Sequence, residues 1–360
     1  MGASNKGKSG NCILPIVTIL LFGIVAQIRA CLLSIILQLH DTKMQIYTLI
    51  SDLMHQKPLL NYPSQFALLL ALLGIGIILG NSIVLGIGSM IMHVPMKTVP
   101  SLLNDPKNKE ISQFLNTLAS FLVFCLPAII LGKIVNRKPF DYLGFRSRIS
   151  SKQVLLVVMI AFVGLILSGA LGEINQAIPL PAKWLKAAKE AEAKYKESML
   201  AMVSMKSFAD YLLAIIVMAV APAMFEEILF RGALQKVFVG WTRSSFLGIF
   251  LASIFFSAIH FSYFGFLPRT ALGMILGYVF YYSKNLWYNI FIHFLYNGII
   301  VTQLFQATRK GKQIEKVMDE SMPIWMGVIA VLGIFILMRL FKQESDLALH
   351  QKSSFENELN

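Results

Sequence analysis

The chain has 360 residues, of which 56% are hydrophobic and 14% charged, with a mean hydropathy of +0.66. Soluble domains carry about 25% charged residues, so an ordinary soluble domain is excluded. The formal net charge of +13 does not point to nucleic acid, because Lys and Arg lie mostly in short loops between apolar runs, where they flank membrane spans and meet anionic headgroups.

A helix crosses a bilayer with about 20 apolar residues, and the pattern predicts an all-α, polytopic bundle of about eight or nine spans. The first runs from Ile13 to about Leu39, behind Lys6 and Lys8 and through Arg29; it resembles a signal peptide but continues far enough to stay as a span. The second covers Phe66 to Met92, with Gly76 and Gly80 as a small-xxx-small pair. The third covers Phe114 to Val135, with Pro127 inside. A basic loop, Asn136 to Lys152, leads to a fourth span at Val154 to Leu171. The stretch Pro179 to Lys206, rich in Ala, Lys and Glu with Trp184 and Tyr195, predicts an amphipathic helix at the membrane surface.

The fifth span starts near Phe208 and passes Pro222 into FEEILFRGAL. The sixth covers Phe246 to Phe261, and the short seventh Thr270 to Tyr282, with Gly273 and Gly277 at packing distance. The eighth covers Trp287 to Phe305. After a basic loop, ATRKGKQIEK, the ninth covers Ile324 to Leu340. Three regions follow: residues 1–150 as N-terminal spans and basic loop, 151–306 as the helical core, and 307–360 as loop, last span and polar tail. Cys12, Cys31 and Cys125 make no CxxC pair and define no disulfide framework. Lys and Arg are nearly balanced between the two sides, so charge does not choose an orientation; the density of the Asn136–Lys152 loop leans it toward the cytoplasm.

Ionisable side chains inside a span cost at least about 2.5–3.5 kcal/mol each, and three places keep them. Glu226 and Glu227 precede Arg231. Glu227 and Arg231 are four apart on one helix face and can pair, which leaves the other carboxylate for proton transfer. Pro222 removes a backbone hydrogen bond just before them and predicts a kink. Phe256 and His260 share a face, as do His293 and Asn297. Alone, each has a bland reading: a helix-end salt bridge, a packing histidine, an interhelical hydrogen bond. Together they describe inward faces that build a site in a bundle core. Glu226, His260 and His293 are also a set that zinc would accept, although HExxH is absent.

The ordered motifs EExxxR, FxxxH and HxxxN resemble those of the CPBP family, which includes type II CAAX prenyl endopeptidases and bacteriocin-immunity proteins. The resemblance covers about residues 150 to 306, with DYLGFR as a lead-in. It implies endoproteolysis in a helical cavity near the membrane surface, on a membrane-associated or CAAX-like peptide or membrane-protein substrate; the short loops and the lack of eukaryotic sorting signals point to a bacterial plasma membrane. In the favoured form, Glu226 and His260 activate a water and His293 and Asn297 hold the oxyanion, with Glu227 and Arg231 in support and no cofactor. In the other, a divalent metal such as zinc sits among Glu226, His260 and His293. Two further readings stay open: a non-catalytic scaffold or immunity protein, and a proton-relaying transporter, against which the lack of an inverted repeat counts.

Overall fold

The computed structural model describes residues 60–311 and 322–358, apart from Asn104, Arg148 and Ser204, together with Gln38 and Lys43. The expected first span and part of the 307–316 loop lie outside the described residues. Leu60–Asn360 packs as one compact unit, distinct from Met1–Leu59. All regular structure among the described residues is helical.

Ten helices organise this unit: α1 (Tyr62–Met92), α2 (Lys109–Val135), α3 (Pro139–Leu143), α4 (Ser151–Ala177), α5 (Ala182–Val203), α6 (Phe208–Thr242), α7 (Ser245–Ala258), α8 (Phe266–Ser283), α9 (Leu286–Arg309) and α10 (Ile324–Glu358). Six of them, α1, α2, α4, α6, α9 and α10, are long and apolar enough to cross a membrane. This is a multi-pass integral membrane protein. The expected count of eight or nine spans is corrected in two places among the described residues. α7 has 14 residues, because its last turn tightens at Ile259 and the chain turns at Phe261, whose φ is +50°. α8 has 18 residues but holds Pro268, Arg269 and three tyrosines, which lower its apolar content.

The starts of several helices are legible locally. Asn61 accepts from the Ser64 N–H ahead of α1, and Asn285 from the Trp287 N–H ahead of α9. Ser207 and Asp210 form a reciprocal capping box at the head of α6; each such cap satisfies a backbone donor that a helix start leaves orphaned. Asp210 also pairs with Lys109 of α2, so the heads of two spans are tied together.

Small residues set the helix spacing. A Cβ at Gly76 would stand 2.9 Å from the Leu122 carbonyl oxygen, and one at Gly80 3.3 Å from the Leu122 side chain. Gly273 faces Ser253 at 2.9 Å in the same sense. The two predicted small-xxx-small pairs therefore face helices at close approach, α1 on α2 and α8 on α7.

Two large apolar cores result, beside a smaller cluster of Met205, Ala214, Val301 and Leu304. One joins Leu69, Cys125, Ala128 and Leu131 to Leu229, Phe230, Phe238 and Phe256, so α1 and α2 support the same helices that carry the motifs. The other packs α4, α8, α9 and α10 around Ile160, Leu276, Ile292 and Phe341. α5 is the predicted polar helix and is not apolar enough to span.

Candidate active site

α6 places the first motif. Pro222 would break a plain α-helix, but the preceding turn, Ile216–Val220, is widened to a π-turn in which the Ala221 N–H reaches back to the Ile216 carbonyl. A second wide segment, Ile228–Leu234, follows Glu227. Such π-segments concentrate at functional sites. The helix runs on to Thr242, so Glu226 and Glu227 sit at its middle and not at the span's end, as the sequence had suggested. The bland helix-end salt bridge is thereby corrected: this pair is deep.

Glu227 and Arg231 form the buried half of the site. Arg231 Nη1 lies 3.0 Å from Glu227 Oε1, and their side chains are 2% and 0% exposed. Removing both from water is costly and is offset only by mutual attraction and further partners. Arg231 has two more: its Nη2 reaches the Gly273 carbonyl of α8 at 3.4 Å, and its guanidinium lies 4.6 Å from the centre of the Phe256 ring. The same Glu227 Oε1 receives the Nδ1–H of His293 from α9 at 2.9 Å. A carboxylate only accepts, so this contact fixes the proton on Nδ1.

Glu226 is different from its neighbour. It faces a cavity of about 1140 Å³ that is also lined by His260, His293 and Asn297, whereas Glu227 and Arg231 lie behind its wall. Glu226 Oε2 is buried without a hydrogen-bond partner among the described residues. It stands 3.9 Å from His293 Nε2, within ion-pair range when that imidazole is protonated.

His260 lies one residue beyond Ile259, just past the end of α7, and not within a helix as expected. Its position is still fixed by Phe256. Its Nδ1 donates to the Phe256 carbonyl at 2.8 Å, and a carbonyl acceptor demands the proton on that nitrogen. The neutral ring then keeps a lone pair on Nε2. The Phe256 ring lies edge-on to both imidazoles, 5.2 Å from His260 and 5.8 Å from His293. One phenyl ring thus touches His260, His293 and Arg231.

The six predicted residues are brought together in two layers: Glu226, His260, His293 and Asn297 on the cavity wall, with Glu227 and Arg231 behind it. Sequence reading missed others on the wall. Asn116, Thr117 and Ser120 of α2 line it; their three- and four-residue spacing is a polar stripe that a search of the third span would have found. Tyr296 lines it too, 4% exposed, its hydroxyl without a partner among the described residues. Among the described residues no three His, Cys, Asp or Glu side chains gather at metal-ligand spacing. The zinc set considered from sequence shares a cavity but is not assembled as ligands.

Fold and site together define a class: a helical membrane protein with a carboxylate, two imidazoles and an amide around a shared cavity. Residues 208–299, which hold all six motif residues, match the type II CAAX prenyl endopeptidase Rce1-like family and carry a domain of that family. A stretch of 108 residues is 32% identical to the uncharacterized protein YpbD of Bacillus subtilis, covering 29% of this chain and 52% of that protein. The chain thus spans about half the length of that relative. No solved structure matches.

Proposed function

We propose that this protein is an intramembrane endopeptidase that uses the chain's own groups to activate water. The observation that carries the reading is the split between the two glutamates: one fully buried and tied through Oε1 to Arg231 and His293, the other on the cavity wall beside two imidazoles.

Glu226 Oε2 takes a proton from water while His260 Nε2 accepts the water's other hydrogen and aligns it. The water oxygen bonds to the peptide carbonyl carbon, and the carbonyl π pair moves to oxygen. That oxyanion receives the Asn297 amide N–H and the Nε2–H of His293 in its doubly protonated form, whose other proton Glu227 holds. Each such donor is typically worth about 2.7–4 kcal/mol. Glu226 then passes its proton to the leaving nitrogen, the C–N bond breaks, the second water proton passes from the new carboxyl group through His260 Nε2 to the freed amine, and the new chain ends depart as carboxylate and ammonium. Glu226 and Glu227 against Arg231 and the His293 imidazolium make a neutral set, which suits a low-dielectric interior.

The substrate is a membrane-associated peptide or protein, CAAX-like where the cell prenylates proteins, and the setting is a bacterial plasma membrane. Comparing the membrane proteome of cells carrying wild type and Glu226→Ala identifies it. Uncut precursors accumulating with Glu226→Ala support the reading. Identical proteomes, with the variant still rescuing the cellular phenotype, support a scaffold instead.

A further inference from the structure

The cavity holds a cation that the chemistry above does not use. Arg269, in the first turn of α8, lines the same hollow as Glu226, His260 and His293. It is near enough for its charge to act on both Glu226 and His260. No carboxylate among the described residues is in ion-pair range of it. Its guanidinium makes one contact at the limit of hydrogen bonding, 3.5 Å to the Ser262 carbonyl, and lies 5.4 Å from the centre of the Tyr195 ring on α5. A guanidinium carries five N–H donors, so most of them are unspent.

The surroundings hold that group in place. Gly265 leaves the room it occupies: a Cβ there would overlap the guanidinium. Ser262 Oγ accepts the Gly265 N–H at 3.3 Å and donates to Glu192 Oε2 of α5 at 2.7 Å, which engages the nearest α5 carboxylate on the cavity wall. The positive end of the α8 backbone dipole lies on the same side. Lys189 and Lys196 of α5 line the same cavity, as do Leu272, Leu276, Ile300 and Leu304.

We infer that Arg269 is the anchor for a carboxylate of the peptide substrate, held in the same cavity as Glu226. The planar guanidinium fork matches a carboxylate through two parallel hydrogen bonds, which a lysine cannot reproduce. The carboxylate is either the chain terminus or an acidic side chain near the scissile bond. This assignment rests on the peptidase reading of the cavity and names the substrate feature that reading leaves open.

The test is peptide binding to purified Glu226→Ala protein in detergent, so that hydrolysis plays no part. The probes are one short fluorescent peptide with apolar C-terminal residues, made as the free acid, as the amide, and as the amide with Asp in last place. The free acid is expected to bind about tenfold tighter than the plain amide, the order of a charge-assisted pair. Adding Arg269→Gln is expected to abolish that preference while plain-amide binding persists, and Arg269→Lys to retain part of it. If the Asp amide binds like the acid, a side-chain carboxylate suffices; if it binds like the plain amide, the terminus is read. Equal binding of acid and plain amide overturns the proposal. So does a preference that survives Arg269→Gln, or a loss of both peptides together, which marks Arg269 as structural. Cleavage by the wild-type protein is scored separately: acid preference without any cleavage sinks the peptidase reading alone.

Discussion

Glu227 and His293, 66 residues apart, meet at 2.9 Å through Oε1 and Nδ1, with the carboxylate fully shielded from solvent. The contact ties the middle of α6 to the middle of α9. It also fixes which imidazole nitrogen faces Glu226, so one buried bond both braces the bundle and sets the chemistry.

The two adjacent glutamates should therefore fail differently. Glu227→Ala strands the Arg231 charge, 2% exposed, and breaking a buried pair from one side costs about 3–5 kcal/mol. Thermal unfolding in detergent should show a clear loss of stability. Glu226→Ala, with a side chain 13% exposed on the cavity wall, should unfold near the wild-type temperature. Equal destabilisation by the two would break the distinction between a brace and a reactive group.

His260 is fixed by one backbone acceptor and packs on Phe256. His260→Ala should cut peptide hydrolysis by about 10²–10⁴-fold, the range for losing a positioned general acid–base group, with helical circular dichroism unchanged. A rate within a few-fold of wild type would remove His260 from the mechanism.

Tyr296 and Gly164 form a coupled pair, because a Cβ at Gly164 would overlap the tyrosine hydroxyl. Gly164→Ala should destabilise by about 1–3 kcal/mol, as overpacking does. Tyr296→Phe, which gives up a hydroxyl with no partner among the described residues, should be close to neutral. In the double variant the phenylalanine should recover part of the Gly164→Ala loss, read as a non-additive term in a double-mutant cycle. Strict additivity would mean the two side chains do not share the space.

Much of this was legible because helices repeat. Residues four apart share a face, so Glu227 with Arg231, Phe256 with His260, and His293 with Asn297 could be grouped from sequence; the first two pairs are in contact, and the third shares the cavity wall. The close packing at Gly76, Gly80 and Gly273 was likewise visible as spacing. The pairing of Glu227 with Arg231 also left Glu226 as the other carboxylate, and Glu226 is the one that lines the cavity; what the sequence did not disclose is the register of the two within the helix. Neighbouring residues on a helix point about 100° apart, and the π-segments on either side of the pair shift that register by an amount no spacing rule supplies. The Glu227–His293 contact is purely tertiary. Arg269 escaped notice because a single cation at the head of an apolar run looks like an ordinary membrane flank.

The capping box at the head of α6 gives an independent test of the fold. Asp210 accepts from the Lys206 and Ser207 N–H groups and pairs with Lys109. Ser207→Ala should cost about 1 kcal/mol. Asp210→Ala should cost more, because it also releases α2 from α6. Denaturant or thermal unfolding in detergent reads both, and the reverse order of effects would contradict the arrangement.

The central claim is that a free, cavity-facing carboxylate at position 226 activates water. The most direct measurement is the hydrolysis rate of a fluorogenic peptide by purified wild-type and Glu226→Ala protein, each shown to be folded and each with and without a divalent-metal chelator. The mechanism predicts turnover by wild type that survives chelation and none by Glu226→Ala. Undiminished turnover by Glu226→Ala would contradict the assignment of the base, and wild-type activity lost on chelation and restored by zinc would contradict the metal-independent chemistry.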